Sequence, residues 1–183
     1  MSGLGIGTVL AVRAVHGSAE IPRGHMVVAC SKPNHLTNQD LDKAKLTGFL
    51  LEKTARRLKQ YFQQMLSKRG YKITVDQWVI LQALYEKQEQ SQLELAQATY
   101  KDAPTVTRII DLLQKQDLVN RRADPEDRRR FKVELTAEGH QLIEELAPVL
   151  TEFRQTAWRD ITVDQMNMLE QILNTVFTNL IAE

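Results

Sequence analysis

The chain has 183 residues, 43% of them hydrophobic, with 24 Lys and Arg against 23 Asp and Glu for a net charge of +1. That length and apolar content suffice for one domain, or a domain with extensions, around a buried core. No run of about 20 apolar residues is present, which excludes a membrane-spanning helix, and the single cysteine, Cys30, cannot form an internal disulfide and suits a reducing cytoplasm.

Residues 1–40 read as an N-terminal extension, expected to be disordered. Gly17-Ser18 through Pro22-Arg23-Gly24-His25-Met26 has the look of a vector-derived linker or an upstream extension, with Met26 a plausible start. A first long helix is expected within 41–72. It carries an apolar stripe of Leu46, Leu50, Leu58, Tyr61, Phe62 and Met65. Between Lys53 and Lys72 lie seven basic residues and no acidic one, a run that reads best as a solvated helix face.

Residues 73–136 have the pattern of a winged helix-turn-helix. Thr74 to Gln77 is a capping box opening a helix with Trp78, Leu81, Leu84 and Tyr85 inward. Ser91 to Glu94 is a second capping box, and its helix continues through Leu93, Ala96 and Thr99 at helical spacing. Asp102-Ala103-Pro104 then supplies an N-cap and an early proline for the next helix. In that helix Val106, Ile109, Ile110 and Leu113 share one face, which has to be buried if so short a helix is to hold. At 100° per residue Arg108 points the other way, with Lys101, Pro104, Asp111 and Gln114 on the outer side and Thr105 and Thr107 flanking it. A small, polar, partly basic surface of this kind suits the major groove, about 12 Å wide. Leu118 to Arg122 and Phe131 to Leu135 read as a β-hairpin, with Asp124-Pro125-Glu126-Asp127 as turn chemistry and Arg128, Arg129 and Arg130 at its tip. Asp127 sits where it can orient one guanidinium, and an oriented arginine gains most in a narrow minor groove.

Residues 137–183 read as C-terminal helices. Leu142, Leu146, Val149, Leu150, Phe153 and Ala157 mark one, with Pro148 inside it expected to introduce a kink. A capping box at Thr162 to Gln165 opens the last, with Met166, Leu169, Leu173, Val176 and Leu180 three and four apart. A winged helix closes its own core with about 70 residues, so these additional apolar faces need another partner. Charge is partitioned along the chain. Residues 120–132 carry six basic and three acidic residues, whereas Glu134 to Glu152 carries five acids and no Lys or Arg. The wing is therefore the positive end, which aims it at phosphate.

Leu95-Ala96, Thr105 through Asp111, Leu118-Val119, Asp127-Arg128-Arg129 and Val133 through Gly139 together resemble the winged-helix core of the multiple-antibiotic-resistance regulator (MarR) family, over about residues 42–183. The resemblance implies a mainly α fold with a small β-hairpin wing, a winged helix-turn-helix flanked by N- and C-terminal helices that form a homodimer. It implies a cytoplasmic, nucleoid-associated transcription regulator, usually a repressor, that binds double-stranded DNA at a pseudo-palindromic site and is released by a small ligand or by oxidation. By the family's wing pattern Arg129 is the minor-groove arginine and Asp127 its orienting partner. Asp117 stands where the family commonly has glycine, and aspartate tolerates the left-handed backbone that such a turn demands.

On this basis the expected DNA-contacting residues are Lys101, Pro104, Thr105, Thr107, Arg108, Asp127, Arg128 and Arg129. A small aromatic or lipophilic effector is expected at the junction of winged helix and dimerisation helices, lined by Tyr61, Met65, Trp78 and Leu81, although such residues also make ordinary core. Cys30 has only Lys32 as a basic neighbour, which argues against a reactive thiol. An enzyme finds little support: the four histidines lack metal-ligand spacing, no cofactor motif is present, and no phosphate-cradling loop or nucleophile with a positioned base appears. The competing reading is a winged helix that docks another protein instead of DNA.

Overall fold

The computed structural model describes residues 37–123 and 131–181; Cys30 and the wing tip with Asp127, Arg128 and Arg129 lie outside the described residues. The order of elements is α1 (Asn38–Lys68), α2 (Val75–Glu86), β1 (Glu89–Ser91), α3 (Gln92–Thr99), α4 (Ala103–Lys115), β2 (Val119–Ala123), β3 (Phe131–Leu135), α5 (Ala137–Ala157) and α6 (Val163–Ile181). This is a mainly helical chain with one small antiparallel sheet. It divides into two compact units after Glu145.

Helix starts in the first unit are fixed by side chains that satisfy the otherwise orphaned N–H groups of the first turn. Thr74 and Ser91 form reciprocal capping boxes with Gln77 and Glu94, as their spacing predicts. Asp102 caps α4, its carboxylate accepting from Thr105 N–H at 2.8 Å. An additional box, Thr37 with Asp40, starts α1 three residues earlier than the apolar stripe suggests.

Val106, Ile109, Ile110 and Leu113 of α4 are all buried, the face expected from their spacing. Each contributes about 1.5–3 kcal/mol of burial. Helix α4 packs against α2 and α3, and the buried core also holds Ile80, Leu81 and Leu84 of α2, Leu95 of α3, and Phe62, Met65 and Leu66 from the end of α1. Two expectations are corrected here. In α3 the buried residues are Leu95 and Ala96, while Leu93 is 63% exposed; in α2, Tyr85 is at the surface, its ring tilted against His140 at 5.8 Å.

The sheet has the order β1-β3-β2. The hairpin of β2 and β3 is in the register Val119 to Leu135 through Ala123 to Phe131. The strand β1, absent from the sequence reading, pairs Glu89 with Glu134 and Ser91 with Lys132. Gln90 anchors it, its buried amide donating to Ala83 O of α2 at 2.7 Å.

Asp117 adopts φ 57°, the left-handed turn expected of it, and Tyr100 adopts φ 50° between α3 and α4. The entry to α5 is then fastened to this turn. Thr136 Oγ1 donates to Asp117 O at 2.6 Å and accepts from Gly139 N–H at 3.0 Å. At Gly139 a Cβ would overlap the Leu118 carbonyl oxygen, so the absence of a side chain permits the close approach. In the second unit α5 continues through Pro148, and Thr162 with Gln165 makes the capping contacts of α6. No residue of α6 is buried.

Candidate nucleic-acid interface

The outward face of α4 is built from residues that its own buried stripe forces outward. Pro104, Thr105 and Arg108 are exposed, and Thr107 is half-buried at the edge of that face. The Thr107 hydroxyl is already engaged, donating to Ala103 O at 2.9 Å and approaching Gln92 Oε1 at 3.4 Å, which ties the start of α4 to α3. Arg108 is exposed on the surface of α4.

Behind this face stands a residue the sequence reading did not single out. Arg121 of β2 makes an ion pair with Asp111, and its guanidinium donates to Thr107 O and Gln114 Oε1, each at 3.4 Å. The wing therefore grips the recognition helix along two turns. Strand alternation contained the signal, since Arg121 shares the face of buried Val119. Asp111, placed on the outer side by helical geometry alone, is in fact the half-buried partner of that arginine. On the outer side of the same strand, Arg122 pairs with Glu134 at 2.9 Å.

Lys101 is held elsewhere. Its ammonium donates to Asp76 Oδ1 at 2.6 Å, and Lys59 of α1 donates to the same carboxylate at 2.8 and 3.0 Å. Around the helix-turn-helix, the carboxylates that cap helices lie below their ordinary pKa values. The hydrogen bond from Thr105 lowers Asp102, and those from Ser91 lower Glu94. These caps are ionised at neutral pH, where they complement the positive ends of their helices.

The architecture is matched in known proteins. The MarR family model aligns with residues 73–131, from just before the Thr74 cap of α2 to the first residue of β3. NicR, described as an HTH-type transcriptional repressor of Pseudomonas putida, is 36% identical over 113 residues, covering 62% of this chain and 70% of NicR. This chain belongs to the MarR family. Among solved structures, BpsR of Bordetella bronchiseptica, whose DNA binding is regulated by 6-hydroxynicotinic acid, superposes with a TM-score of 0.65 at 29% identity, covering 72% of this chain and 98% of BpsR. The Staphylococcus aureus MepR–DNA complex gives a TM-score of 0.67 at 25% identity, covering 73% of this chain and 97% of MepR.

Within this MarR fold the four residues expected to line an effector site are spread between core and surface. Met65 and Leu81 are buried, and Tyr61 and Trp78 are half-buried. Phe62 meets the Trp78 ring edge-on, with centroids 5.3 Å apart, and Arg57 lies 6.0 Å over the Tyr61 ring. The Trp78 indole N–H is buried and meets no acceptor among the described residues. A donor in that condition costs about 1–3 kcal/mol. Among the described residues no group of three or more His, Cys, Asp or Glu is placed to hold a metal ion, and no helix is long and apolar enough to cross a membrane.

Proposed function

We propose that this chain is a sequence-specific double-stranded-DNA-binding regulator that acts as a homodimer in the cytoplasm and is a ligand-responsive repressor. The observation that carries the DNA reading is the α4 surface: Pro104, Thr105 and Arg108 are free to face a groove, and the Arg121–Asp111 pair locks that helix to the wing. In this reading Arg108 contacts a base edge or phosphate in the major groove and Thr105 and Thr107 border it, while Asp127, Arg128 and Arg129 serve the minor groove. MepR, a structural relative, is bound to DNA, and NicR is a repressor.

The dimer follows from unsatisfied apolar surface. Helices in proteins are stabilised mainly by packing an apolar face, yet α6 has no buried residue, and its Leu169, Ile172, Leu173, Val176 and Leu180 recur on one exposed face. Leu46, Phe49 and Leu50 are likewise exposed on α1. A second copy supplies the same surfaces by symmetry. Two recognition helices would then sit about one DNA turn, about 34 Å, apart and fit a pseudo-palindrome.

For the effector, the supporting observation is the unpartnered Trp78 N–H beside the Phe62 ring. A small aromatic molecule bearing a carboxylate or carbonyl would satisfy that donor while stacking on apolar surface, with Tyr61, Met65 and Leu81 as the remaining lining. It shifts DNA affinity only if it binds one conformation better than the other. BpsR shows that a protein of this fold has its DNA binding regulated by an aromatic acid.

The test is duplex binding by wild type and Arg108→Ala after selection of bound genomic fragments. Arg108→Ala should lose about 1–3 kcal/mol on the selected site with an unchanged melting temperature. Equal binding by the two proteins would remove α4 as the reading element.

A further inference from the structure

Asp76, in the first turn of α2, gathers two lysines from elements far away in sequence: Lys59 from α1 and Lys101 from the turn into α4. Lys101 is the more deeply held, its side chain only 20% exposed against 55% for Lys59. One carboxylate faces two ammonium groups, so the cluster keeps a surplus positive charge. Burial acts to raise the Asp76 carboxyl, but the hydrogen bonds from Lys101 and Lys59 outweigh it and hold the group below the ordinary carboxylate range. The carboxylate is therefore charged throughout the neutral range.

The position of Lys101 makes this pairing consequential. It directly precedes Asp102, the N-cap of the helix that the DNA reading puts in the major groove. Phosphates gather at such helix starts, and a free lysine there binds them without regard to sequence. In this chain that ammonium is turned onto a carboxylate instead.

We propose that Asp76 is a specificity-determining residue, which withholds Lys101 from the DNA backbone and so restrains sequence-independent binding. The inference rests on the DNA-binding reading above. Affinity for random duplex comes from phosphate neutralisation and counterion release, each phosphate contributing about 0.9 to the slope of log K against log salt. A lysine engaged by Asp76 contributes to neither. In a complex fixed by base contacts the register leaves Lys101 one geometry, whereas on random sequence a released ammonium can find any nearby phosphate, so its release favours random duplex most.

The experiment measures binding to a random-sequence duplex between 50 and 200 mM salt for the full chain and four variants, with a thermal melt on each. Asp76→Asn should bind more tightly than wild type at 50 mM, its slope steeper by about 0.9 per protomer, so that about 3.5-fold of the advantage per protomer is lost by 200 mM. Adding Lys101→Met to Asp76→Asn should restore the wild-type curve. Adding Lys59→Met, which makes the same change in net charge, should not. Lys101→Met alone leaves Asp76 paired with Lys59 and should leave the wild-type curve in place, a check that remains available if Asp76→Asn does not fold. The inference is overturned if Asp76→Asn folds and leaves affinity and slope unchanged, if Lys59→Met restores as fully as Lys101→Met, or if Lys101→Met alone weakens binding. A wild-type chain that binds no duplex at any salt would instead defeat the DNA-binding reading beneath it.

Discussion

Replacing Arg121 with alanine removes a side chain that ties β2 to three successive points of the recognition helix, Thr107 O, Asp111 and Gln114. A charge-assisted hydrogen bond in a dry setting is worth about 1.5–3 kcal/mol. The Arg121 side chain is 22% exposed but Asp111 is 48% exposed, so water takes over part of the lost interaction. A net loss of about 1–2 kcal/mol follows. For a chain of this size that lowers the melting temperature by about 2–8 °C. DNA affinity should fall by at least about tenfold, which is about 1.4 kcal/mol, because the face carrying Arg108 is no longer held in register with the wing. Arg121→Lys keeps the charge but lacks the planar fork that reaches three acceptors, and it should recover less than half of the lost affinity. Denaturant unfolding and fluorescence anisotropy on the selected duplex measure the two effects separately. If Arg121→Ala left both stability within about 0.5 kcal/mol and affinity unchanged, the coupling of wing to recognition helix would be refuted.

Gly139→Ala should destabilise the chain by about 1–3 kcal/mol, because its Cβ meets the Leu118 carbonyl and the Leu135 side chain; an unchanged denaturation midpoint would contradict the packing described. Trp78→Phe removes the unpartnered indole N–H, so stability should hold or rise by about 1 kcal/mol while the response to an aromatic acid weakens; a fall of several kcal/mol would mean that the N–H has a partner in the folded chain. Asp76 and Glu94 are both depressed below their ordinary carboxyl values. A depressed folded-state pKa gives stability that is present above the unfolded value, about 4, and is lost as the pH falls through the folded value. The melting temperature should therefore be level from pH 7 to about 5 and decline at lower pH, and Asp76→Asn should flatten that decline; an identical acid limb in the variant would exclude Asp76 as a contributor.

What was legible in the sequence was local and periodic. The buried stripe of α4 stood out because Val106, Ile109, Ile110 and Leu113 complete a helical face, and the boxes at Thr74, Ser91 and Thr162 were plain because their partners lie three residues away. Family resemblance added the order of elements. Other features depended on tertiary contact. The strand β1 is three residues long, Glu89 to Ser91, too short to show alternation, and it exists because β3 offers an edge and Gln90 reaches Ala83. Helix α3 has only two turns, so its phase was ambiguous and Leu95 rather than Leu93 took the core. Asp111 reads as an outward residue until Arg121 arrives from the wing, and the Asp76 cluster joins residues 17 and 25 positions apart. Helical wheels report direction; they do not report what another element brings to meet it.

The central claim is that two copies of α4 read one duplex together. It is tested most directly by hydroxyl-radical footprinting on a selected genomic fragment, combined with sedimentation of the same complex to count protein chains. The account predicts two chains per site, protecting two segments whose centres lie about one helical turn, about 10 base pairs, apart. A single chain on the duplex, or protection without that spacing, would contradict it.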